Sequence, residues 1–238
     1  FNGSSGREYG FRIGDGTNLI TDVSIKGVIA SGYGNTEIWF DVAKRVDTLR
    51  CIDVTCYGGQ SGMEFGATGS SGAVTGMELT NVVMDSMAAG YGFNFNTTQN
   101  ATLTGCTAQT CSEGGYNIGA GAVGTNIQGG LVTGNVKSGI ILRSGSVYTN
   151  ITGVHITDNN RSFYVSPGPG GPYTYETGDY HGVDVAANTS HWRVSNCSIG
   201  NWAGNIGWQR YGVRVASGTS NHYLILGNEF SLNTYGDI

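Results

Sequence analysis

Charged residues and proline are scarce in this sequence of 238 residues. Asp, Glu, Lys and Arg make up only 12% of the chain, about half of their usual share, and Lys and Pro occur three times each. The net charge of −5 argues against a partner that is held by its phosphates, so we do not expect nucleic acid binding. Because no apolar run approaches the ~18 residues of a membrane-spanning helix, we do not expect membrane insertion.

Motifs of cofactor and metal chemistry are also missing from the sequence. There is no phosphate-binding loop, dinucleotide fingerprint or nucleophile elbow, and the four His residues form no spaced metal-binding pair. The five Cys residues have neither zinc-site nor thioredoxin-like spacing, so we expect free, buried thiols. We therefore predict no cofactor and no metal site. The chain opens without an initiator Met or a charged leader, and we expect it to be a fragment of a longer protein.

Glycine, in contrast, fills 41 positions and marks an internal repeat. A four-residue phrase recurs in which Gly is followed by an apolar residue, any residue and a second apolar residue. Trp takes the place of Gly in the second copy. The eight copies are Gly10–Ile13, Trp39–Val42, Gly62–Phe65, Gly92–Phe95, Gly115–Ile118, Gly139–Leu142, Gly182–Val185 and Gly212–Val215.

A second phrase follows each copy of the first one. It consists of an apolar residue, any residue, then Gly, Asn or Cys, then a small or apolar residue. Its leading apolar residues are spaced by 24, 30, 24, 24, 24, 43 and 31 residues along the chain. These leading residues are Ile25, Leu49, Leu79, Leu103, Ile127, Ile151, Val194 and Ile225.

Both phrases have the two-residue alternation of short strands. Strands that recur every ~24 residues are parallel if the chain coils the same way each time, and each coil then stacks on the last at ~4.8 Å. Gly and Asn suit left-handed backbone at the corners. We therefore predict an all-β protein, a single-stranded right-handed parallel β-helix of about eight coils, as one domain over residues 1–238. The blades of a β-propeller, at ~40–45 residues, are too long for this period.

Function in a solenoid is expected where the repeat is interrupted. The largest interruption is a loop insertion at 160–181 that holds all three prolines, and a second extended corner lies at 200–211. Both precede a strand of the first phrase, so they should leave the rod at the same corner. Their aromatic residues and one His are predicted to contact a glycan or, alternatively, neighbouring subunits. They are Tyr164, Tyr173, Tyr175, Tyr180, His181, Trp202 and Trp208.

The outward-facing middle residues of the first phrase form a second candidate site. Asp41 and Glu64 are predicted on neighbouring coils, where their carboxyl groups could lie ~5 Å apart, as in a retaining glycosidase. Like charges at that distance raise one pKa, which gives an acid and a base. Asp184, beside the aromatic loop, is a further catalytic candidate. The alternative is a solvated ladder of ordinary surface pairs. The predicted substrate-binding residues of this column are Asn94, Asn117 and Arg214.

The coils resemble the right-handed parallel β-helix superfamily of pectate lyases, polygalacturonases and phage tailspikes. The segment Tyr91–Asn96 is similar to the Tyr-Gly-Phe-Asp-Pro-His motif of the mannuronan C5-epimerases, whose Asp and His are catalytic. Asn94 and Asn96 occupy those two positions here, and Gly119 stands where the next coil of that family carries another Asp. The resemblance therefore implies the fold without the acid and base of that family.

The polar face, the aromatic loops and the free Cys residues together resemble the body of a bacteriophage tailspike or tail fibre. This resemblance implies a homotrimer on a virion tail or at the cell surface, folded in the host cytoplasm, that binds and hydrolyses a bacterial surface polysaccharide. One alternative is a secreted polysaccharide lyase or C5-epimerase, which needs a basic residue, and the outward column lacks Lys. The other is a non-catalytic structural shaft or adhesin.

Overall fold

The regular structure of the chain is β-strand throughout the part that is described. The computed structural model describes residues 9–13, 19–31, 36–40, 45–66, 73–160, 164–165, 174–175, 180–201, 209–218 and 220–238. Within these ranges there are strands and no helices, and hence no helix that could cross a membrane.

Three sheets of eight parallel strands make up the molecule. Sheet 1 contains β1 (Tyr9–Ile13), β4 (Thr36–Phe40), β7 (Ser61–Phe65), β10 (Tyr91–Phe95), β13 (Gly114–Ile118), β16 (Ile140–Leu142), β21 (Val183–Val185) and β24 (Val213–Val215). Sheet 2 contains β2 (Leu19–Lys26), β5 (Arg45–Ile52), β8 (Ala73–Thr80), β11 (Thr98–Thr104), β14 (Val123–Gln128), β17 (Asn150–Thr152), β22 (Ser190–Ser195) and β25 (Asn221–Leu226). Sheet 3 contains β3 (Ile29–Ser31), β6 (Thr55–Tyr57), β9 (Val83–Asp85), β12 (Thr107–Gln109), β15 (Leu131–Thr133), β18 (His155–Thr157), β23 (Ser198–Gly200) and β26 (Glu229–Ser231).

The chain visits the three sheets in the same order on every coil, so it forms a parallel β-solenoid. Eight strands in every sheet agree with the predicted number of coils. Residues one coil apart are vertical neighbours, because Phe93 pairs with Tyr116 and Tyr116 with Ile140. These three side chains are fully buried, and the rings of Phe93 and Tyr116 stack with centroids 4.7 Å apart. The fold prediction is confirmed.

The second phrase is a corner rather than a strand, and each coil has three strands where the sequence suggested two. In the sixth coil, for example, β17 ends at Thr152, Gly153 turns with φ 66°, and the buried Val154 precedes β18. The corner residue has positive φ in all eight coils, which confirms the predicted left-handed corners. These residues are Gly27, Asp53, Asn81, Gly105, Gly129, Gly153, Asn196 and Gly227.

The glycines that open the first phrase are required for a different reason. A Cβ at Gly115 would lie 2.7 Å from the carbonyl oxygen of Gly139, and a Cβ at Gly182 would lie 2.7 Å from that of Gly212. Both distances are too short for a side chain. These glycines therefore allow successive coils to approach closely, and they do not provide a left-handed turn.

The predicted alignment of the second coil is wrong by two residues. Trp39, not Asp41, pairs with Glu64, and Cys51, not Leu49, pairs with Ile25. A shift of two residues keeps every side chain on the same side of the sheet, so the apolar pattern alone could not detect it. The place predicted for Asp41 in the outward column belongs to Trp39, and Asp41 itself lies outside the described residues.

Both extended loops leave the rod at the corner between sheet 3 and sheet 1, as predicted. The first connects β18 to β21, and the second connects β23 to β24. In the first loop, β19 (Tyr164–Val165) and β20 (Thr174–Tyr175) form an antiparallel pair with Tyr164 opposite Tyr175.

The five thiols are free and buried, which confirms the prediction for the Cys residues. Burial raises the pKa of Cys51 to about 12, with a further contribution from Cys106. Burial also raises the pKa of Cys111 to about 12, against hydrogen bonding to the backbone at Met87. These thiols therefore stay protonated and serve as small apolar side chains of the interior.

Candidate polysaccharide-binding site

A hydrogen-bonded row of polar side chains crosses neighbouring coils on the outward face of sheet 1. Glu64, Asn94 and Asn117 are in register on β7, β10 and β13. The Asn117 amide Nδ2 donates to Asn94 Oδ1 at 2.7 Å, and Asn94 Nδ2 donates to Glu64 Oε1 at 3.1 Å. The structure therefore brings these three predicted residues together as a column.

Arg143 completes the row from a position just after β16. Its Nε donates to Asn117 Oδ1 at 2.7 Å, and its Nη2 donates to the hydroxyl of Tyr91 at 2.6 Å. The ring of Tyr91 lies across Gly114, where a Cβ would be 3.4 Å from Tyr91 Cε1. Gly114 thus lets the tyrosine lie flat over the next coil, and the guanidinium group sits over the middle of the sheet.

The two ends of the row determine the orientation of the amides between them. Arginine can only donate and an ionised carboxylate can only accept, so each amide must turn its oxygen toward Arg143 and its nitrogen toward Glu64. Asn96 adds a second amide, because its Nδ2 donates to Glu64 Oε1 at 3.2 Å and to the Gly66 carbonyl at 2.8 Å. We call Glu64, Tyr91, Asn94, Asn96, Asn117 and Arg143 the polar row.

A charged pair lies beside the polar row near the start of the strands. Lys137 Nζ donates to the Glu113 carboxylate. Partial burial lowers the pKa of Lys137, but the bond to Glu113 and the nearby Tyr180 and Tyr91 outweigh it, so the pKa is raised. Lys137 is therefore a fixed cation. Tyr180, which the sequence predicted as a glycan contact, is half-buried and lies within electrostatic range of it.

Asp184 and Arg214 form a separate ion pair on the same face, at 2.9 Å, as the surface-pair alternative predicted. Asp184 follows Ile141 in the column and lies four coils from Glu64, or ~19 Å at the usual strand spacing. Glycosidase carboxylates are at most ~9.5 Å apart. Glu64 and Asp184 therefore cannot act as one catalytic pair.

His181 is not a glycan contact. Its side chain is fully buried, its ring lies 5.5 Å from that of Tyr211, and its backbone N–H donates to Ser138 Oγ. The prediction failed because the short distance in sequence from the aromatic loop concealed that His181 enters the interior at the start of a coil. The predicted contacts Tyr173, Trp202 and Trp208 lie outside the described residues, and only the backbone is described for Tyr164 and Tyr175.

Arg143 and Lys137 were missed from the sequence because they flank the fifth copy of the first phrase and are not part of it. A search restricted to the outward positions of the strands cannot find a side chain that reaches the sheet from a corner. Their signal was available all the same, since the two cations bracket Gly139–Leu142 in a chain with little positive charge. Among the described residues there is no group of three or more His, Cys, Asp or Glu that could hold a metal.

Fold and face together define a parallel β-solenoid with an ordered polar row on one sheet. No protein-family model matches the chain, and no curated protein matches it. Among solved structures, it is similar to the A-module of the mannuronan C-5 epimerase AlgE4 of Azotobacter vinelandii, at 10% identity and a TM-score of 0.39, over 92% of this chain and 76% of that one. It is also similar to the A-module of AlgE6 from the same organism, at 15% identity and a TM-score of 0.39, over 98% and 81%.

Proposed function

We propose that the protein is a tailspike-like module that binds a bacterial surface polysaccharide along sheet 1. The observation that carries the proposal is the polar row, a set of amides held in one orientation between an arginine and a carboxylate. Sugar hydroxyls both donate and accept hydrogen bonds, and such a row offers both at fixed positions. The row runs along the rod over four strands, or ~14 Å at the usual strand spacing, which suits an extended chain of sugars.

The exposure of the row fits this function. Glu64, Tyr91, Asn94 and Asn96 are half-buried, and Arg143 is exposed. Asn117 is only 7% exposed and lies beneath Arg143, so it positions the guanidinium group and does not itself meet the glycan. Tyr91 adds a ring whose position is fixed by Gly114 and by its bond to Arg143.

Hydrolysis of the glycan requires a second carboxylate near Glu64. The two neighbouring column positions are held by Trp39 and Asn94, and Asp184 is too distant. The polar row therefore supports binding, and Asp41, beyond the described residues, is the carboxylate to test for cleavage.

Elimination from a uronic acid glycan is the second candidate, and the contact between Arg143 and Tyr91 favours it. The outward column indeed lacks Lys, but a cation reaches it from the corner. In an elimination, a base removes the proton beside the carboxylate, a C=C bond forms, and the glycosidic oxygen leaves with a proton. Arg143 would neutralise the uronate, and the Tyr91 hydroxyl is the nearest group for proton transfer.

The test measures binding and product together. We expect Arg143→Gln to weaken binding of capsular or lipopolysaccharide glycans about tenfold, the effect of losing hydrogen bonds to a charged group. The control is Arg50→Gln, because Arg50 forms an exposed ion pair with Glu78 on sheet 2. Equal affinity in Arg143→Gln and the parent protein would contradict the proposal. New reducing ends report hydrolysis, and ultraviolet absorbance of an unsaturated sugar reports elimination.

Trimeric assembly on a virion tail or at a cell surface is part of the same proposal. It rests on the tailspike resemblance of the repeat and the aromatic loops at one corner. Size-exclusion chromatography with light scattering tests it, and a monomer at micromolar concentration would contradict it.

A further inference from the structure

A groove lies at the corner between sheet 2 and sheet 3, the one corner that sheet 1 does not adjoin. Its volume is about 270 Å³. Six of the residues that line it come from the last three coils, and no Lys or Arg is among the described residues around it. A site here is separate from the polar row and owes nothing to it.

The floor of the groove results from the left-handed corners. Gly153, Asn196 and Gly227 turn with φ of 66°, 53° and 65° on consecutive coils, and two of the three have no side chain. A Cβ at Gly227 would lie 2.6 Å from Asn196 Oδ1. The glycines therefore leave an open floor, over which the Asn196 amide lies.

The walls are formed by His155 and Glu229, with Ser198 between them. These residues are in register on β18, β23 and β26. His155 and Glu229 are exposed, and the small Ser198 is half-buried. The outer two coils are ~9.6 Å apart, which is two strand spacings. A slot therefore opens above Ser198, wide enough for one flat ring between the imidazole and the carboxylate.

The polar groups of the slot are unused by the protein. Within the described residues, the side chains of His155, Ser198 and Glu229 make no hydrogen bond or ion pair. A carboxylate accepts from two adjacent hydroxyls, a serine hydroxyl both donates and accepts, and an imidazole adds an edge for hydrogen bonds and a face for C–H contact. An anionic ligand would find no cation here, whereas a neutral polyhydroxyl ring matches every group.

We propose that this groove is a second sugar site that binds a single neutral pyranose ring. The ring stands in the slot above Ser198, with adjacent hydroxyls on Glu229 and its C–H face toward His155. Its volume suits one sugar, since it is below the ~300 Å³ at which pockets for larger ligands begin. The site extends the protein beyond binding along sheet 1.

The experiment is an amide-resolved NMR titration with the methyl glycosides of glucose, galactose, mannose and N-acetylglucosamine. For at least one of them we expect saturable shifts in the millimolar range at Gly153, Ser198 and Gly227. Ser198→Leu should fill the slot and abolish the shifts. Thr107→Leu is the matched control, since Thr107 occupies the same column three coils away, and it should leave them unchanged. Glu229→Gln should weaken binding about tenfold.

The result that overturns the proposal is the absence of shifts with all four glycosides, or their persistence in a folded Ser198→Leu protein. An Arg143→Gln protein separates the two sites. If it keeps the groove shifts, the second site is independent whatever the fate of glycan binding on sheet 1. If it loses them, the shifts arise from the polar row and the groove proposal fails.

Discussion

Single amide groups decide what sheet 1 presents to solvent. Asn117 accepts from Arg143 and donates to Asn94, so one side chain fixes the orientation of two neighbours. Because it is nearly buried, its polar atoms have little access to water if a partner is lost. The order of the row therefore depends on a residue that is itself hidden.

The first prediction concerns this residue. Asn117→Leu should lower the free energy of unfolding by about 1–3 kcal/mol, because it leaves Asn94 and Arg143 without a partner, and it should reduce glycan affinity. Urea unfolding and a binding assay measure the two effects. Asn126→Leu is the control on the same coil, because Asn126 accepts from Asn150 in a like pair on sheet 2. Loss of binding in the control as well would mean that the effect is not specific to the row.

The second prediction concerns the glycine column of sheet 1. Gly92→Val should destabilise the protein by about 1–3 kcal/mol or more, because its Cβ would lie 3.0 Å from Ala108 Cβ and from the Gly115 carbonyl oxygen. Gly129→Asn is the control, since nothing lies within 4 Å of a Cβ there and Asn fills the same corner in other coils. Thermal unfolding of both variants measures the difference. Equal stability would show that close packing is not the reason for Gly92.

At the scale of elements, the corner between sheet 3 and sheet 1 accepts chains of very different length. Six residues separate Thr133 from Ile140, whereas 25 separate Thr157 from Val183. The strands on either side of the long loop still pair in register with both neighbours. Since strand pairing and not the loop fixes these coils, the loop is free to serve another purpose.

The third prediction is that deletion of residues 162–179 leaves the rod folded and weakens glycan binding. The deletion leaves seven residues at the corner, close to the six of an ordinary coil. Circular dichroism and the urea midpoint report the fold, and the same glycan panel reports binding. An unfolded product would show that the loop is structural, and unchanged affinity would remove its tyrosines from the site.

The elements show how far a sequence reading can reach in such a fold. Three equal spacings of 24 residues identify the coils and align Phe93 with Tyr116. They could not give the third sheet, whose strands are three residues long and have no phrase of their own. They could not place Trp39 beside Glu64 either, because a two-residue shift preserves the alternation. Asn94 and Asn117 were found from the column, and Arg143 was not, because it acts from a corner.

At the scale of the whole molecule, the interior is a continuous stack without cross-links. Apolar side chains and five thiols fill it, and aromatic rings such as Phe65 and Phe95 stack at 5.1 Å between coils. Thiol ionisation is therefore linked to folding. The pKa of Cys51 and of Cys111 is raised from the ordinary 9.0 to about 12 in the folded protein. The contribution of these thiols to stability is complete below pH 9.0 and is lost as the pH rises toward 12.

The fourth prediction follows from this linkage. A thiol reagent at pH 8 should leave all five Cys residues unmodified in the folded protein, and should modify all five in guanidinium chloride. Stability should fall as the pH rises above 9.0, and Cys111→Ala should reduce that fall. Spectrophotometric thiol titration and urea unfolding across pH measure both. Rapid modification of the native protein would show that the thiols are reached by solvent.

The three equal intervals of 24 residues make the middle coils interchangeable modules. Each such module ends one residue before its successor's matching position, with the same three strands and the same corner. A gene in which residues 103–126 are duplicated would encode a taller protein, extended by about 4.8 Å without any new kind of contact. The architecture can therefore set the reach of a particle or an enzyme by counting copies, as a ruler is lengthened by whole divisions.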